Sequence, residues 1–581
     1  MKKLKKILSV VLTLAMVLGM SVTTWAAENP DGKVGTSDDK GDIVIQNVEK
    51  NVNVDLYKIV EATYDTNGNF SGYTTTDAAY EAILKGEAEK VDYSALANIN
   101  ADVINALGAD KVEATKVTMG TPIYSKTQDE TDTTKELGTY TCESLGVGMY
   151  LVVLSGAEST IYNYAVASIY YTVEDDDNVL VDGNTENKAL NILDATIVAK
   201  ASDHPTVEKT AKENGTVTNS VDIGDKVDYE VVIEPVPYYA GSNPVLKVED
   251  TLSEGLTLDI ETPIVITAFK KSETTGTPFT TVKADTTENQ KIKVDFVKDG
   301  AYVLNEYAGG KVVITYSAIL NDKAGINEVG NGNDVVLKYT KDSKVETSED
   351  NLPEDEDKTF TYTFDIDGGA TGTVTEETIT TGILVKTDGT IVLDETTNKV
   401  KNPLKGAEFT LYTNEACTDK YTNASTVKDE TKTFDGTVTS DEKGLLPIRG
   451  LATGTYYLKE TKAPDGYSLN THVFKIVIRA NYYGDKGFEV IPEGSEKGQI
   501  VKWSITIDDK STTKFNVTHD GPTITTEIDG GKVGTVGIAN TKLSSLPSTG
   551  GIGTTIFTIG GCAIMILAAG LYFASRRKSA K

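Results

Sequence analysis

Apolar and polar residues alternate in short runs along most of the chain, and turn signals rich in Asn, Asp and Gly separate these runs. Residues 227–233, 311–316 and 474–478 show the alternation clearly. A period of two predicts strands with one buried face, and short strands at this spacing indicate antiparallel sandwiches. We therefore predict an all-β protein made of tandem β-sandwich domains.

Two segments in the first part of the chain depart from this pattern. Residues 76–107 carry Ala, Glu and Lys at helix-compatible spacing and predict a small helical insertion in the first domain. Ahead of it, residues 7–20 form an apolar run of 14 residues that follows four lysines and precedes Thr24-Trp25-Ala26. The run is too short to span a bilayer, and small residues follow it. It therefore predicts a signal peptide over residues 1–26 that is cleaved after Ala26.

The C-terminal segment, residues 546–581, has three parts in a fixed order. An uncharged apolar run at 552–574 is long enough to cross a bilayer, and the basic tail 576–578 after it would stay inside the cell. Before the run stands the pentapeptide Leu546-Pro547-Ser548-Thr549-Gly550. Together these parts resemble the cell-wall sorting signal of Gram-positive surface proteins. The resemblance implies cleavage between Thr549 and Gly550 by a sortase, a cysteine transpeptidase.

Charge and composition narrow the functional classes. The chain has 86 acidic and 56 basic residues among its 581, and both ends are basic, so the body between them is strongly acidic. Such a body does not favour binding to nucleic acid, which needs basic patches. Cys142 and Cys417 are far apart and are interpreted as isolated thiols, since Cys562 lies in the apolar run. The three histidines show no metal-ligand spacing, so we predict no metal and no cofactor.

Acidic runs suggest where domains end. Residues 174–177 and 349–357 are interpreted as solvated loops or linkers, although either run could bind cations loosely. The predicted domains span residues 27–198, 199–366 and 377–543.

Charged and amide side chains interrupt apolar strand faces in the last domain. Residues two apart on a strand share a face. Each of three polar residues lies two positions from an apolar one: Lys386 from Leu384, Glu460 from Leu458 and Asn540 from Ile538. The three polar residues belong to a first, a middle and a last predicted strand of the domain.

The burial of these groups permits a specific reaction. An isolated buried charge costs several kcal/mol unless it is paired or neutralised, so burial drives Lys386 toward a neutral amine and Glu460 toward a protonated acid. A neutral amine is a nucleophile, and Asn540 supplies a carbonyl carbon and an amine leaving group. Attack of Lys386 on Asn540 would release ammonia and leave an isopeptide bond, with Glu460 moving the protons.

Two sequence motifs carry a family resemblance for this domain. Residues 402–412 (NPLKGAEFTLY) look like the B-strand signature of Cna protein B-type domains, and residues 458–467 (LKETKAPDGY) look like the pilin E-box. The resemblance implies an immunoglobulin-like sandwich with a Lys386–Asn540 isopeptide bond, and Glu460 as the residue that catalyses its formation.

The middle domain repeats the arrangement with different spacing. Lys209 follows Val207 on one strand face, and Asp250 follows Val248 on another. This is similar to the isopeptide-forming middle domain of fimbrial backbone subunits, in which Asp is the catalytic acid. We predict a Lys209–Asn333 bond catalysed by Asp250. Asn331 lies on the same face as Asn333 and stays an alternative acceptor.

The first domain has a hairpin at residues 145–153 that resembles those of pilin N-terminal domains, but no E-box follows Glu143, so no cross-link is predicted there. Backbone pilins carry a linking Lys near the end of this domain, often after Tyr-Pro. Lys200 occupies the comparable place here, with Val198-Ala199 instead of Tyr-Pro. Lys188 and Lys212 are the alternatives.

The whole chain resembles an LPXTG-anchored, sortase-assembled major pilin. The resemblance implies a structural, non-enzymatic subunit of a fimbrium that supports adhesion and is joined through Thr549 to Lys200 of the next copy. Its implied partners are a pilin sortase, a housekeeping sortase, minor pilins, peptidoglycan and an unidentified host ligand. The alternative is a singly anchored adhesin or minor pilin that binds a host ligand and needs no linking Lys.

Overall fold

A computed structural model describes the following parts of the chain: residues 26–27, 35–94, 99–109, 111–126, 136–173, 178–183, 189–239, 244–288, 290–341, 352–366, 384–389, 401–422, 435–531, 535–543 and 552–578. They form two compact units, and the second takes residues 222–224, 325–329 and those from 362 onwards. The prediction of an all-β protein is confirmed. The signal peptide up to residue 25, the acidic run 174–177, Lys188 and the pentapeptide 546–550 lie outside the described residues. The domain bounds stay predictions.

The first part of unit one contains twelve described strands. They are β1 (Ala26–Ala27), β2 (Lys40–Glu49), β3 (Asn53–Tyr64), β4 (Phe70–Thr75), β5 (Ile123–Lys126), β6 (Leu137–Gly146), β7 (Gly148–Ser155), β8 (Thr160–Tyr162), β9 (Ala165–Val173), β10 (Leu190–Leu193), β11 (Ala195–Val198) and β12 (Ala201–Asp203). One sheet has the order β1-β10-β9-β7-β3-β4, a second has the order β11-β2-β6-β5, and β12 pairs with β8. β11 runs parallel to β2, and the chain then crosses to β8.

The predicted helical insertion contains two short helices rather than one continuous helix. They are α1 (Ala78–Lys85) and α2 (Ala101–Ala109). Asp77 caps α1 by accepting a hydrogen bond from the Ala79 N–H, and Gly86 ends it with a φ of 54°. That positive φ favours glycine, so the residue type itself stops the helix. A 3₁₀ turn follows at Glu113–Thr115.

The second part of unit one is a sandwich of two larger sheets. Its strands are β13 (Thr206–Glu213), β14 (Thr216–Val217), β15 (Lys226–Glu234), β16 (Leu246–Leu252), β17 (Leu256–Leu258), β18 (Val265–Phe269), β19 (Thr277–Pro278), β20 (Lys291–Asp295), β21 (Val297–Lys298), β22 (Ala301–Tyr302), β23 (Lys311–Leu320), β24 (Asn331–Tyr339) and β25 (Glu354–Thr361), with a 3₁₀ turn at Asn305–Tyr307. One sheet has the order β14-β13-β15-β23-β18-β19, with β17 also on β23, and the other has the order β20-β16-β24-β25. Burial alternates along β15 and β24, as the sequence pattern predicts.

The interpretation of residues 349–357 as a solvated loop or linker is wrong for its last four residues. They begin strand β25, which pairs antiparallel with β24. The acidic side chains at positions 354 and 356 are exposed, whereas those at 355 and 357 are partly buried. Alternation within a charged run is therefore still a strand signal.

Unit two has a parallel strand pair, a seven-stranded sheet and a C-terminal helix. The elements are β26 (Leu384–Thr387), β27 (Glu408–Tyr412), β28 (Thr437–Thr439), β29 (Gly454–Lys462), β30 (Val473–Tyr482), β31 (Ile500–Ile507), β32 (Ser511–Asp520), β33 (Thr523–Ile528), a 3₁₀ turn at Asp529–Gly531, β34 (Val536–Ala539) and α3 (Ile552–Lys578). β26 pairs with β34, and the sheet order is β28-β27-β29-β30-β31-β32-β33. Within α3, the segment Thr555–Arg577 is long enough to cross a membrane and contains an 18-residue window with a mean hydropathy of 2.1.

Candidate functional site

Three polar residues of unit two meet in its interior. Lys386 lies on β26, directly beside Ile538 of the parallel strand β34, and Asn540 follows the end of β34. Glu460 lies near the end of β29, a strand of the large sheet. Lys386 has 0% of its surface exposed, Glu460 1% and Asn540 3%. The structure thus brings together all three residues that the sequence predicts for this domain.

Their contacts order the three groups for a reaction. The Asn540 amide nitrogen donates to both carboxylate oxygens of Glu460, at 2.9 and 3.1 Å. The Lys386 ammonium donates to the Asn540 side-chain oxygen and lies 3.5 Å from Glu460 Oε1. Burial lowers the pKa of the Lys386 ammonium, although Glu460 opposes the shift. The amine, the amide and a proton carrier are therefore in mutual contact.

One further residue holds Glu460 in place. The backbone N–H of Asn470 donates to Glu460 Oε2 at 2.6 Å, and the Asn470 side chain donates to the carbonyl of Ala539 at 3.0 Å. Asn470 therefore ties the carboxylate to the strand end that carries Asn540. The sequence analysis missed this residue, since its role depends on which strands become neighbours.

A second polar cluster lies in the middle of unit one. Lys209 of β13 donates to Asp250 Oδ2 of β16 at 2.6 Å, and both side chains are buried. Burial lowers the pKa of the Lys209 ammonium and raises the pKa of the Asp250 carboxyl, and their mutual attraction opposes both shifts. Burial has a larger effect on both pKa values than the attraction between the two groups, because neither side chain reaches water. It favours the neutral pair, in which the ammonium has passed a proton to Asp250.

The amide of Asn333 joins this cluster through a tyrosine. Asn333 lies on β24 with 0% of its surface exposed, and its amide nitrogen donates to the Tyr316 hydroxyl at 2.8 Å. That hydroxyl donates to Asp250 Oδ2 at 2.7 Å. The alternative acceptor, Asn331, donates instead to the backbone carbonyl of Thr361 at 3.0 Å. The contacts therefore link Asn333, rather than Asn331, to Asp250 through Tyr316.

Two carboxylates of β25 hold the strand that carries Lys209. Asp355 accepts a hydrogen bond from the backbone N–H of Val207, and Asp357 accepts one from that of Lys209, both at 2.6 Å. Side chains therefore satisfy two N–H groups of β13 at positions that the described strand β14, which pairs only with Lys212 and Glu213, does not reach. The sequence analysis missed both residues because it assigned them to a solvated segment.

Lys200 lies where the chain crosses from β11 to β12. The N–H of Ala199 donates to the carbonyl of Gln46 at 2.9 Å, and the carbonyl of Lys200 accepts from the N–H of Asn163 at 3.0 Å. The Lys200 side chain is half-buried, and burial lowers the pKa of its ammonium. Across the described part of the chain no carboxylate pairs with it, whereas Lys212 pairs with Glu230 at 3.0 Å.

Comparison with known families agrees with this architecture. Residues 223–343 match the Gram-positive pilin backbone subunit 2 Cna-B-like domain, residues 389–486 match the SpaA prealbumin-like fold domain, and residues 539–581 match the LPXTG cell wall anchor motif. The chain therefore contains a pilin-backbone Cna-B-like domain, a SpaA prealbumin-like domain and an LPXTG cell-wall anchor motif, a combination that supports the role of a sortase-polymerised backbone pilin. It is a surface protein of the pilus that the membrane retains before wall attachment.

Particular relatives are found over nearly the whole length. The trypsin-resistant surface T6 protein of Streptococcus pyogenes is 26% identical, over 98% of this chain and 99% of that protein. Among solved structures, the T6 backbone pilin of S. pyogenes is 21% identical with a TM-score of 0.48, and covers 87% of this chain and 99% of its own. The major pilin SpaD of Corynebacterium diphtheriae is 17% identical with a TM-score of 0.39, over 76% of this chain and 91% of its own.

Proposed function

We propose that this backbone pilin forms a fibre in which Thr549 of one subunit is joined to Lys200 of the next. Each subunit is locked internally by a Lys209–Asn333 and a Lys386–Asn540 isopeptide bond. A pilin sortase makes the links between subunits, and a housekeeping sortase transfers the finished fibre, with its minor pilins, to peptidoglycan. Each internal bond forms once per chain, so the subunit is a structural protein rather than an enzyme.

The observation that carries this proposal is the buried contact of an amine, an amide and a carboxylic acid in unit two. A lysine and a glutamate with almost no exposure are costly to bury as charges. Condensation removes the amine charge, because the isopeptide product is neutral and the ammonia can leave. Asp250 has the corresponding role between Lys209 and Asn333. Lys386 lies on β26, the first described strand of its predicted domain, and Lys209 lies on β13, close to the start of its own.

The link between subunits needs a nucleophilic lysine on a rigid surface segment. Sortase would hold Thr549 as a thioester on its cysteine, the Lys200 amine would attack the thioester carbonyl, and the cysteine thiol would leave. A half-buried amine with a lowered pKa is more often neutral and therefore more reactive. Backbone hydrogen bonds on both sides of Lys200 support its presentation in one orientation.

Fibres extracted from the wall test the intersubunit link. Peptide mapping of the wild type should give a branched Thr549–Lys200 peptide, and a boiled denaturing gel should show a ladder of high mass. Lys200→Ala should abolish the ladder, whereas Lys212→Ala, which removes an ion-paired lysine of the same region, should keep it. A single band for the wild type would contradict polymerisation and favour the singly anchored adhesin.

The intact mass of the chain tests the internal bonds. Full-length chain from cells without sortase should be lighter by one ammonia for each isopeptide, after allowance for the signal peptide. Asp250→Asn and Glu460→Gln should each restore one ammonia. A wild-type mass without this loss would contradict the proposed internal isopeptide bonds. It would not contradict the proposed link between subunits.

A further inference from the structure

We infer that Tyr316 is a catalytic residue for the Lys209–Asn333 bond, which carries a proton between Asp250 and the departing nitrogen of Asn333. The inference rests on the proposed function. Its basis is that the Tyr316 hydroxyl is the group in hydrogen-bond contact with both the acid and the leaving group, at 2.7 and 2.8 Å.

The two sites of this chain differ in the length of the acid. In unit two, Glu460 reaches the Asn540 nitrogen with both oxygens. Aspartate is shorter by one methylene, and among the described contacts Asp250 bonds to Lys209 and Tyr316 but not to Asn333. The phenol hydroxyl fills the gap that the shorter side chain leaves.

The protons can be followed atom by atom. Lys209 first passes a proton to Asp250, and its nitrogen then attacks Cγ of Asn333, while the carbonyl electrons move onto Oδ1. Once Cγ is tetrahedral, the amide nitrogen regains a lone pair and both hydrogen bonds of Tyr316 can reverse. Asp250 donates to the phenol oxygen, and the phenol donates to Nδ2.

The leaving group then departs and the charges balance. The Cγ–Nδ2 bond breaks as Nδ2 receives the phenol proton, the carbonyl re-forms, and ammonia leaves. The Lys209 nitrogen gives its second proton to Asp250. Of the two protons that Lys209 loses, one ends on ammonia and one on Asp250, and Tyr316 finishes as it began.

The surroundings suit a relay through a neutral phenol. Tyr316 is 2% exposed and stacks on Tyr229 with ring centroids 5.2 Å apart, which fixes the direction of its hydroxyl. Burial raises the pKa of Tyr316 well above its ordinary value, so the hydroxyl keeps a proton to donate. Both rings also lie near the Lys209 ammonium, at 5.6 Å for Tyr316 and 5.4 Å for Tyr229.

Tyr229 provides a matched control. It is 1% exposed and lies in the same ring stack, but among the described contacts it is the Tyr316 hydroxyl, and not that of Tyr229, that donates to Asp250. Tyr316→Phe and Tyr229→Phe therefore delete the same atom from neighbouring rings, and only the first deletion breaks the proposed relay.

The experiment measures the rate at which the cross-link forms in the full-length chain. Newly made chain is labelled by a pulse in cells without sortase, and the linked Lys209–Asn333 peptide is quantified over time by mass spectrometry. Tyr316→Phe should slow its formation by about 100-fold, the lower end of what general acid–base catalysis contributes. Tyr229→Phe should leave the rate near that of the wild type. The Lys386–Asn540 peptide of the same molecules reports that unit two of each variant chain still folds.

A rescue separates catalysis from packing. Asp250→Glu in the Tyr316→Phe background lengthens the acid as in unit two and should recover part of the rate. A wild-type rate in Tyr316→Phe, or equal slowing in Tyr229→Phe, would overturn the inference. If the wild type forms no Lys209–Asn333 peptide at all, the proposed internal bond fails instead, and the two failures are thereby distinguished.

Discussion

Replacement of Glu460 by Gln is the sharpest test of what the bond in unit two does for stability. Gln keeps the size of the side chain but cannot hold the proton that the condensation needs, so Lys386 and Asn540 should stay unlinked. These residues are 154 positions apart. For a disulfide that closes a loop of this length, the restriction of the unfolded chain corresponds to about 5 kcal/mol.

The expected loss in the Glu460→Gln variant is at least that large. An unlinked Lys386 stays fully buried without its carboxylate partner, which lowers the free energy of unfolding further. For a domain of this size, each kcal/mol moves the melting temperature by about 2–4 °C. The melting transition of unit two should therefore fall by roughly 10–20 °C, by the same conversion.

Calorimetry of the full-length chain, paired with its intact mass, measures both effects. Glu408→Gln is the matched control, because Glu408 is on a neighbouring strand and makes an exposed ion pair with Lys462 at 2.7 Å. Such pairs contribute about 0–1 kcal/mol, so this control should keep its cross-link and nearly its melting temperature. A Glu460→Gln chain that has lost ammonia would refute the proton-carrying role. An unlinked chain that melts like the wild type would refute the argument from the unfolded state.

Three further predictions concern unit one. In peptide maps, Asn333→Ala should leave Lys209 unlinked, and Asn331→Ala should keep the link; the opposite pattern would reassign the acceptor. Asp357→Ala should cost about 1.5–3 kcal/mol in urea unfolding of the unlinked chain, as expected for a charge-assisted hydrogen bond, whereas Glu356→Gln on the exposed face of the same strand should cost little. The Lys226 ammonium and the Thr262 hydroxyl lower the pKa of Asp259 to about 2. The folded state should therefore lose stability as the pH falls from about 4 to 2, and Asp259→Asn should flatten that part of the pH–stability curve.

The alternation of side chains along a strand determines which site residues can be predicted from the sequence. A period of two fixes which residues share a face, so Lys386, Glu460 and Asn540 could be assigned to one interior before any contact was known. The same logic placed both Asn331 and Asn333 on one face and could not choose between them. The choice depends on the direction of each amide, which the facing residues of other strands determine.

The site residues that could not be predicted from the sequence depend on contacts between strands that are distant in the chain. Tyr316 belongs to a strand that was predicted correctly, but its role follows from the packing of β23 against β16 and β24. Asp357 was missed for a different reason, because a run of acidic residues reads as solvent-exposed regardless of its alternation. In the structure, one face of that run supplies acceptors to backbone N–H groups of β13.

The position of the proposed Lys386–Asn540 bond also follows from mechanical reasoning. β26 and β34 are four residues each and pair in parallel, so few hydrogen bonds hold the first strand of the domain to the last. In a fibre, tension would enter near β26 and leave toward Thr549, beyond β34. It would shear this short pair before it reached the longer strands of the sheet. The proposed bond joins β26 to Asn540, one residue beyond β34. It would transmit the tension in place of the few backbone hydrogen bonds between β26 and β34, so the seven-stranded sheet would not have to resist it.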